Sequence, residues 1–346
     1  MNGLRIAVSG MHRGDNPQPG GSIVADIRRE WPDACVTGLV YNAYESGIYA
    51  PDGPQACHTM PYPTAGLTVY LARLAEVRAA TPFDWFIPTL DAEIAMLAGA
   101  SGELAAMGIR VRLPDPALLA ACGKAKLPAL ADACGITVPE TAVARDLAEA
   151  VEHAERIGYP VYVKGAYYDA TLARSAAAVT AAGAAILADW GPPLIVQEPL
   201  AGTEFNVMGL GDGNGGLLGC CSVRKLIISD KGKGNGSVVV QDPRLEEITA
   251  RVIAHTRWPG PFELEFVRDA RDDAYRLIEI NPRFPAWVGF PALLGSNFSA
   301  AWVEWMVDGA CRKLAPLEPG TFFLRHQIEV CGRMDQVSGL LSQQAG

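Results

Sequence analysis

The first third of the chain alternates short apolar runs with segments of helical periodicity. The apolar runs predict buried strands at residues 4–9, 35–41, 84–88 and 109–112. Between them, apolar positions recur at helical spacing near residues 23–30, 67–79 and 92–107. Strands that alternate with helices predict a doubly wound parallel sheet covered on both faces, which makes this part an α/β domain.

A different pattern begins at Pro114 and Pro116, which break the alternation. A helix is predicted from about Ala117 to Gly135, with an interruption near Pro128. Further helices are predicted at 146–157, 173–188, 244–255 and 297–308. Strands are predicted at 160–165, 194–200, 204–211, 216–227, 237–241, 262–269 and 275–283. Because strands dominate after residue 194, we expect an α+β core with an antiparallel sheet in this part.

The composition favours a soluble, folded protein of more than one domain. The chain has 346 residues, of which 49% are hydrophobic and 19% charged, enough for two or three cores. The formal net charge is -9 and no dense Lys/Arg run occurs, which disfavours a nucleic-acid or anionic-membrane surface. No run of about 18 charge-free apolar residues predicts a membrane span. The apolar run at the N-terminus is too short for a signal peptide.

The eight cysteines show neither a CxxC pair nor the Cys/His spacing of a zinc site. Adjacent Cys220 and Cys221 lie on a predicted strand, so they point to opposite faces and would chelate one metal poorly. We therefore expect free thiols and a reduced, cytoplasmic setting.

The strongest chemical signal is a predicted hairpin formed by FELEFVRD (262–269) and YRLIEINPR (275–283). Side chains alternate along a strand, so Glu263 and Glu265 share one face, as do Glu279 and Asn281. Carboxylate and amide oxygens that converge in this way suit Mg2+ carrying nucleotide phosphates. Arg283 lies on the same face and is placed to neutralise phosphate charge or to hold a carboxylate.

This hairpin resembles the metal-binding end of ATP-grasp enzymes, in the branch that includes carbamoyl-phosphate synthetase, biotin carboxylase and many peptide-like ligases. The resemblance implies that Glu265, Glu279 and Asn281 hold two Mg2+ ions, for which Mn2+ is an expected substitute. It implies a catalytic role for Arg283 at the phosphate or the reaction intermediate. Glu263 remains a rival of Glu265 for the first metal-binding position.

Other segments resemble the family in order and spacing, and they imply an ATP site. Lysines would reach the phosphates, backbone groups of the hinge would hold adenine, and a glutamate would hold the ribose hydroxyls. The implied phosphate contacts are Lys124 and Lys164. The implied adenine-binding hinge is Gln197, Glu198 and Leu200, and the implied ribose contact is Glu204. Of adjacent Arg224 and Lys225, alternation sends only one inward, and we favour Lys225 as the catalytic contact to the transferred phosphate.

Two loops leave alternatives open. The Gly-rich loop with Lys231 and Lys233 is interpreted either as a closure over substrate or as a mobile surface loop. Segment 165–171 keeps only Gly165 where many family members have a Gly/Ser-rich phosphate loop, which indicates a specialised or weakened nucleotide site.

The N-terminal domain resembles the family's pre-ATP-grasp domain, which helps to shape the acceptor-substrate pocket. Candidates to line that pocket are Asp91, Glu93 and His12, although a loop position with no ligand is the simpler interpretation for His12.

The resemblance also implies a domain organisation. A pre-ATP-grasp domain would span residues 1–113 and an ATP-grasp domain residues 114–346. The second would divide into a lid subdomain (about 126–196), a core (about 197–315) and a C-terminal tail (316–346).

The implied function is an ATP-dependent carboxylate–amine ligase that forms an amide or peptide bond through an acyl phosphate and releases ADP and phosphate. The alternatives are a biotin-carboxylase-like carboxylation and a non-catalytic ATP-binding regulator. Expected partners are small-molecule or peptide acids and amines, without nucleic acid or membrane. A homodimer is compatible, because homodimers are common in the family.

Overall fold

The computed structural model describes residues 3–165, 170–228 and 234–343. Residues 166–169 and 229–233 lie outside these ranges, so the expectations for Lys231, Lys233 and most of segment 165–171 fall outside the described residues.

The N-terminal domain is built on a parallel sheet with helices on both faces, as predicted. Its strands are β1 (Arg5–Ser9), β2 (Cys35–Val40), β3 (Ala56–Thr59) and β4 (Trp85–Ile87), in the order β3-β2-β1-β4. Its helices are α1 (Gly20–Glu30), α2 (Leu67–Ala80), α3 (Asp91–Leu97) and α4 (Ser101–Ala106). The carboxyl ends of the parallel strands and the loops that follow them meet at one edge of the sheet.

The structure differs from the predictions for this domain in three respects. The expected strand at 109–112 is reduced to a single bridge between Arg110 and Trp85. Strand β3, with the sequence ACHT, was missed because it has no apolar run. The helix expected at 92–107 is two helices, because the chain leaves helical geometry between Leu97 and Ser101.

The next segment begins with helices α5 (Pro116–Ala121) and α6 (Leu127–Cys134), separated by a 3-10 turn at Lys124–Lys126. The interruption predicted near Pro128 is therefore confirmed, and Pro128 lies in the first turn of α6, where its missing N–H costs nothing.

A small antiparallel sheet follows, with the order β5-β8-β6-β7. Its elements are β5 (Thr141–Ala144), α7 (Leu147–Ile157), β6 (Val161–Lys164), β7 (Ala170–Ala173), α8 (Ala176–Trp190) and β8 (Leu194–Gln197). Its buried hydrophobic cluster is drawn from residues 144–196 alone. This unit (residues 141–197) therefore has a hydrophobic core of its own. It lies within the segment expected to form the lid subdomain, and we use that name for it.

The core sheet is antiparallel and has the order β13-β12-β9-β10-β11-β14. Its strands are β9 (Gly202–Asp212), β10 (Leu217–Ile228), β11 (Gly234–Val239), β12 (Pro259–Asp269), β13 (Tyr275–Asn281) and β14 (Phe322–Leu324). The remaining helices are α9 (Pro243–Thr256), α10 (Gly289–Leu293), α11 (Phe298–Asp308) and α12 (Met334–Ser342). The predicted hairpin is β12–β13, with Glu263 opposite Asn281 and Glu265 opposite Glu279.

The N-terminal domain and the core share one hydrophobic cluster. Ile23 and Ile27 of α1 pack in the same cluster as Phe298 and Trp302 of α11 and Leu210 of β9. Burial of large side chains from both units stabilises their association by about 1.5–3 kcal/mol per side chain. The two units are thereby held in one relative orientation.

The C-terminal tail adds a second connection between these units. Strand β14 pairs with β11 at the edge of the core sheet, and α12 then packs Val337 and Leu340 against Ala43 of the N-terminal domain. The side chain of Gln343 accepts hydrogen bonds from the Thr59 backbone N–H and from Arg73.

Sequence analysis predicted free thiols and no membrane span. The eight cysteines are all free thiols. In the described part of the chain, every helix is too short or too polar to cross a membrane.

Candidate functional site

A cavity of about 840 Å3 lies where the core sheet faces the loops of the N-terminal domain. Its charged lining comes from both units and contains Asp91, Glu204, Lys225, Glu263, Glu265, Glu279 and Arg283. The volume is in the range of ligand-binding clefts, which makes this cavity the candidate functional site.

The polar side chains of the core form a staggered row on one face of the sheet, in which Lys225 lies two residues along β10 from Val223, the residue opposite Asn206. Glu279 of β13 lies opposite Glu265 of β12, which lies opposite Asn206 of β9. Further along, Lys225 of β10 lies opposite Ser237 of β11. Opposed residues of an antiparallel sheet share a face, so the register alone brings these groups to the cavity.

The acidic end of the row has the donors of a magnesium site. The amide nitrogen of Asn281 donates to Glu265 at 3.1 Å, which holds the amide beside the carboxylate and leaves its oxygen for other partners. Among the described residues, no three His, Cys, Asp or Glu side chains form a metal-binding group. Two carboxylates and an amide oxygen nevertheless fit Mg2+, because this ion binds few protein ligands and takes the rest from phosphates and water.

Lysines pair with both candidate metal-binding carboxylates. Lys124 lies 3.1 Å from Glu279, and Lys225 lies 3.3 Å from Glu265 and 2.7 Å from Glu204. Burial lowers the pKa of Lys225, but Glu265 and Glu204 outweigh that effect, so its pKa is raised and the side chain stays charged. These ion pairs place positive charge where phosphates would approach the metal ions.

Of the adjacent residues Arg224 and Lys225, only Lys225 points toward the cavity. Its side chain is 6% exposed, whereas Arg224 is exposed on the other face.

Lys164 lies at the end of β6 in the lid subdomain, where its ammonium donates to the side chain of Gln197 at 2.6 Å. Burial, and then the charge of Lys124, lowers the pKa of Lys164 to about 8. Two lysines whose charges disfavour each other are typical of a site that binds an anion.

The predicted adenine-binding hinge lies next to these lysines and outside the cavity lining. The backbone N–H of Glu198 donates to the Glu140 carbonyl, and its carboxylate pairs with Arg271 at 2.8 Å. An adenine contact of Glu198 would therefore fall on its carbonyl. Gln197 is buried in β8, and Leu200 is half-buried beyond it.

Glu263 lies deeper than its neighbours and is 5% exposed. Its carboxylate accepts from Asn206 at 2.6 Å and from Asn281 at 3.1 Å, and it lies 3.6 Å from Arg283. Burial, and then the charge of Glu265, raises the pKa of Glu263. Its contacts are those of a residue that positions Asn281 and Arg283.

Arg283 joins the core to the N-terminal domain at the site. Its guanidinium lies 3.1 Å from Asp91 at the start of α3 and 3.4 Å from the amide oxygen of Asn281. Burial lowers the pKa of Arg283, but Asp91 and Glu263 outweigh it and the pKa is raised. The arginine is therefore a fixed cation at the boundary between the two units.

Sequence reasoning missed Arg325, which follows β14 and lines the cavity. Burial lowers the pKa of Arg325, and the charge of Glu263 partly offsets this decrease. The Nε atom of Arg325 is buried with no hydrogen-bond partner among the described residues. The apolar run before it in the tail was the available signal, but only the pairing of β14 with β11 brings it to the site.

Two of the N-terminal candidates do not line this cavity. Glu93 is fully buried and accepts hydrogen bonds from Ser9, Tyr70 and the backbone of Leu90, so its expected role in the pocket was wrong. It is a structural acceptor at the start of α3. His12 lies in a loop beside Asp15. Asp91 does line the cavity.

No protein-family model matches the sequence, and no curated protein matches it. Solved structures do match. The L-amino acid ligase from Bacillus licheniformis is 15% identical with a TM-score of 0.67, over 89% of this chain and 75% of that chain.

Two further structures extend the comparison. The biotin carboxylase domain of the Hydrogenobacter thermophilus 2-oxoglutarate carboxylase, a dimer in complex with MgADP, ADP and bicarbonate, is 14% identical with a TM-score of 0.64, over 88% of this chain and 69% of that chain. The N5-carboxyaminoimidazole ribonucleotide synthetase from Thermotoga maritima is 15% identical with a TM-score of 0.61, over 91% of this chain and 78% of that chain. Likeness at this level of identity establishes the fold, and the protein has the ATP-grasp fold.

Proposed function

We propose that the protein is an ATP-dependent ligase that activates a carboxylate as an acyl phosphate and joins it to an amine, with release of ADP and phosphate. The observation that carries this proposal is the row of Glu279, Glu265 and Lys225 across one sheet face, with Arg283 at its boundary. The groups proposed to bind the metal ions, to contact the transferred phosphate and to hold the acid all line one cavity, which supports the proposal.

The nucleotide would lie along the junction of the lid subdomain and the core. Glu265, Glu279 and Asn281 would hold two Mg2+ ions, or Mn2+, which supply charge neutralisation for the phosphates. Lys124 and Lys164 would contact the phosphates. The backbone at Gln197, Glu198 and Leu200 would hold adenine, and Glu204 would hold the ribose hydroxyls after releasing Lys225. The MgADP of the carboxylase structure is a precedent within this fold.

The chemistry then requires little beyond positioning and charge. A carboxylate oxygen of the acid attacks the γ-phosphorus of ATP, and ADP leaves with the electrons of the broken P–O bond. Lys225 would contact the transferring group, and Arg283 would hold the acid. The amine nitrogen then attacks the acyl carbon, phosphate leaves, and the nitrogen loses a proton to give the amide.

The organisation into domains belongs to the same proposal. Residues 1–113 would form the pre-ATP-grasp domain and residues 114–346 the ATP-grasp domain. We also propose small-molecule or peptide substrates, a cytoplasmic location and a homodimer. A bicarbonate-dependent carboxylation is the second candidate, because carboxylase structures are among those that the chain resembles.

The test is release of ADP and phosphate from MgATP with pooled carboxylic acids and amines, with bicarbonate as a separate arm. Release that needs both an acid and an amine, and that is lost in Glu279→Ala, supports the ligase. The matched control is Glu247→Ala, which removes an exposed glutamate of α9. Turnover with bicarbonate alone favours the carboxylation, and MgATP binding without turnover in any arm favours a regulator.

A further inference from the structure

The N-terminal domain supplies both polar and apolar residues to the cavity lining. The polar ones are Asn16, Gln18, Thr64, Thr89 and Asp91, and five residues at or near α3 form an uncharged wall. Tyr62 and Pro63 come from the loop after β3, and Leu90, Ala92 and Ala95 come from the start of α3. These residues carry no formal charge. The wall therefore differs in character from the charged row on the core sheet, and the nucleotide chemistry above makes no use of it.

Tyr62 is the largest member of this wall and is 58% exposed, although its ring packs against another aromatic ring. The ring stacks on Tyr41 with centroids 5.2 Å apart and an interplanar angle of 17°. The Tyr41 hydroxyl in turn donates to the buried Glu93, which also accepts from Tyr70. A supported ring with an exposed surface in a cavity is a stacking platform for a flat apolar group.

The wall begins where the acid would be held. Asp91 opens α3 and pairs with Arg283, and Ala92 and Ala95 follow on the same helix. Ala95 is about one turn from Asp91, a rise of roughly 6 Å along the helix axis. Helix α3 also contacts the 3-10 turn at Pro63–Ala65, which follows Tyr62 directly. A carbon chain that runs from a carboxylate at Arg283 along the first turn of α3 would therefore approach Tyr62.

We propose that the acid activated at this site carries a flat apolar group, such as an aryl ring, a few carbons from its carboxylate, and that this group stacks on Tyr62. This inference rests on the proposed function, because it assigns the carboxylate to Arg283. It names the acid by its chemistry, a carboxylate at one end for the arginine and an uncharged flat body for the wall.

The experiment measures acyl phosphate formation directly. Hydroxylamine replaces the amine, and its nitrogen displaces phosphate from the acyl phosphate to give a hydroxamate. The acids are 3-phenylpropionate, propionate and succinate. We expect kcat/KM for 3-phenylpropionate to exceed that of the other two by at least about tenfold, the effect of one well-placed aromatic contact with its buried area.

Variants locate the effect. Tyr62→Ala should lower kcat/KM for 3-phenylpropionate about tenfold and leave KM for MgATP unchanged, whereas Tyr62→Phe should retain the wild-type value. The control is Tyr44→Ala, which removes another exposed tyrosine outside the cavity lining. A similar loss for all three acids in Tyr62→Ala, or equal efficiency of the three in the wild type, overturns the inference and leaves the proposed function in place.

Failure of the proposed function gives a different result. If none of the acids yields hydroxamate or ADP, calorimetric titration of 3-phenylpropionate into the protein with MgADP decides the subsite separately. Binding that is lost in Tyr62→Ala supports the stacking site, and no binding to the wild type refutes it.

Discussion

Replacing Glu263 by glutamine separates its expected role from that of the metal-binding carboxylates. Glu263 is buried and accepts from Asn206 and Asn281, while Glu265 and Glu279 face the lysines at the cavity. Glu263→Gln keeps the shape of the side chain but removes the charge beside Arg283. Because Glu263 holds Arg283 in position, we expect this change to weaken binding of the acid. The requirement for Mg2+ should stay unchanged.

The structure sets the size of the effect. Glu263 lies 3.6 Å from Arg283, longer than a hydrogen bond, and Asp91 at 3.1 Å remains as a partner of the arginine. The loss should therefore fall at the low end for an interaction with a charged group, about 1.5 kcal/mol, or about tenfold in kcat/KM for the acid. Glu279→Gln removes a proposed metal ligand, and its main effect should be on the metal.

The assay is the rate of ADP formation as a function of Mg2+ concentration at saturating acid, and of acid concentration at saturating Mg2+. Glu279→Gln should shift the Mg2+ dependence to higher concentration, while Glu263→Gln should shift only the acid dependence. If Glu263→Gln raises the Mg2+ requirement as much as Glu279→Gln does, Glu263 is a metal ligand and its role as a positioning residue is refuted.

Two further predictions concern the lid subdomain and the N-terminal domain. The pKa of Lys164 is lowered to about 8, so its positive charge is lost as the pH rises through that value. KM for MgATP should therefore increase above pH 8 in the wild type and stay flat in Lys164→Arg, as steady-state kinetics at several pH values would report. In the N-terminal domain, a Cβ at Gly20 would lie 1.8 Å from the Ser9 carbonyl oxygen. Gly20→Ala should lower the free energy of unfolding by about 1–3 kcal/mol in urea titrations. Gly102→Ala, which meets no atom within 4 Å on α4, should leave it unchanged or raise it by up to about 1 kcal/mol. Equal unfolding midpoints for these two variants would contradict the packing argument.

The sequence predicted the elements whose pattern is local. The β12–β13 hairpin was predicted because polar side chains alternate with apolar ones on both of its strands, and the observed register pairs Glu265 with Glu279. Alternation along the strand also predicted that only one of Arg224 and Lys225 points inward, and Arg224 is the exposed one. The roles of these residues in binding and catalysis remain predictions.

Features that depend on distant parts of the chain were not predictable in this way. Arg325 reaches the cavity only because β14 pairs with a strand far earlier in the chain. Glu93 follows a strand end, the position where ligand-binding carboxylates are common, but tyrosines and backbone amides from other elements enclose it. Strand β3 forms because its neighbour β2 supplies hydrogen bonds to a sequence without an apolar pattern.

The tail has a consequence for how the substrate range of this protein would change. Because α12 and the shared hydrophobic cluster hold the N-terminal domain against the core, the wall at Tyr62 and the row at Glu265 belong to two units that are packed together. The lid subdomain has a hydrophobic core of its own and contributes no residue to that shared cluster. A bulkier acid would then be admitted through substitutions that shorten side chains of the wall. Separation of the two units would contribute little. Under the proposed function, the range of acids would therefore change through single substitutions in this wall.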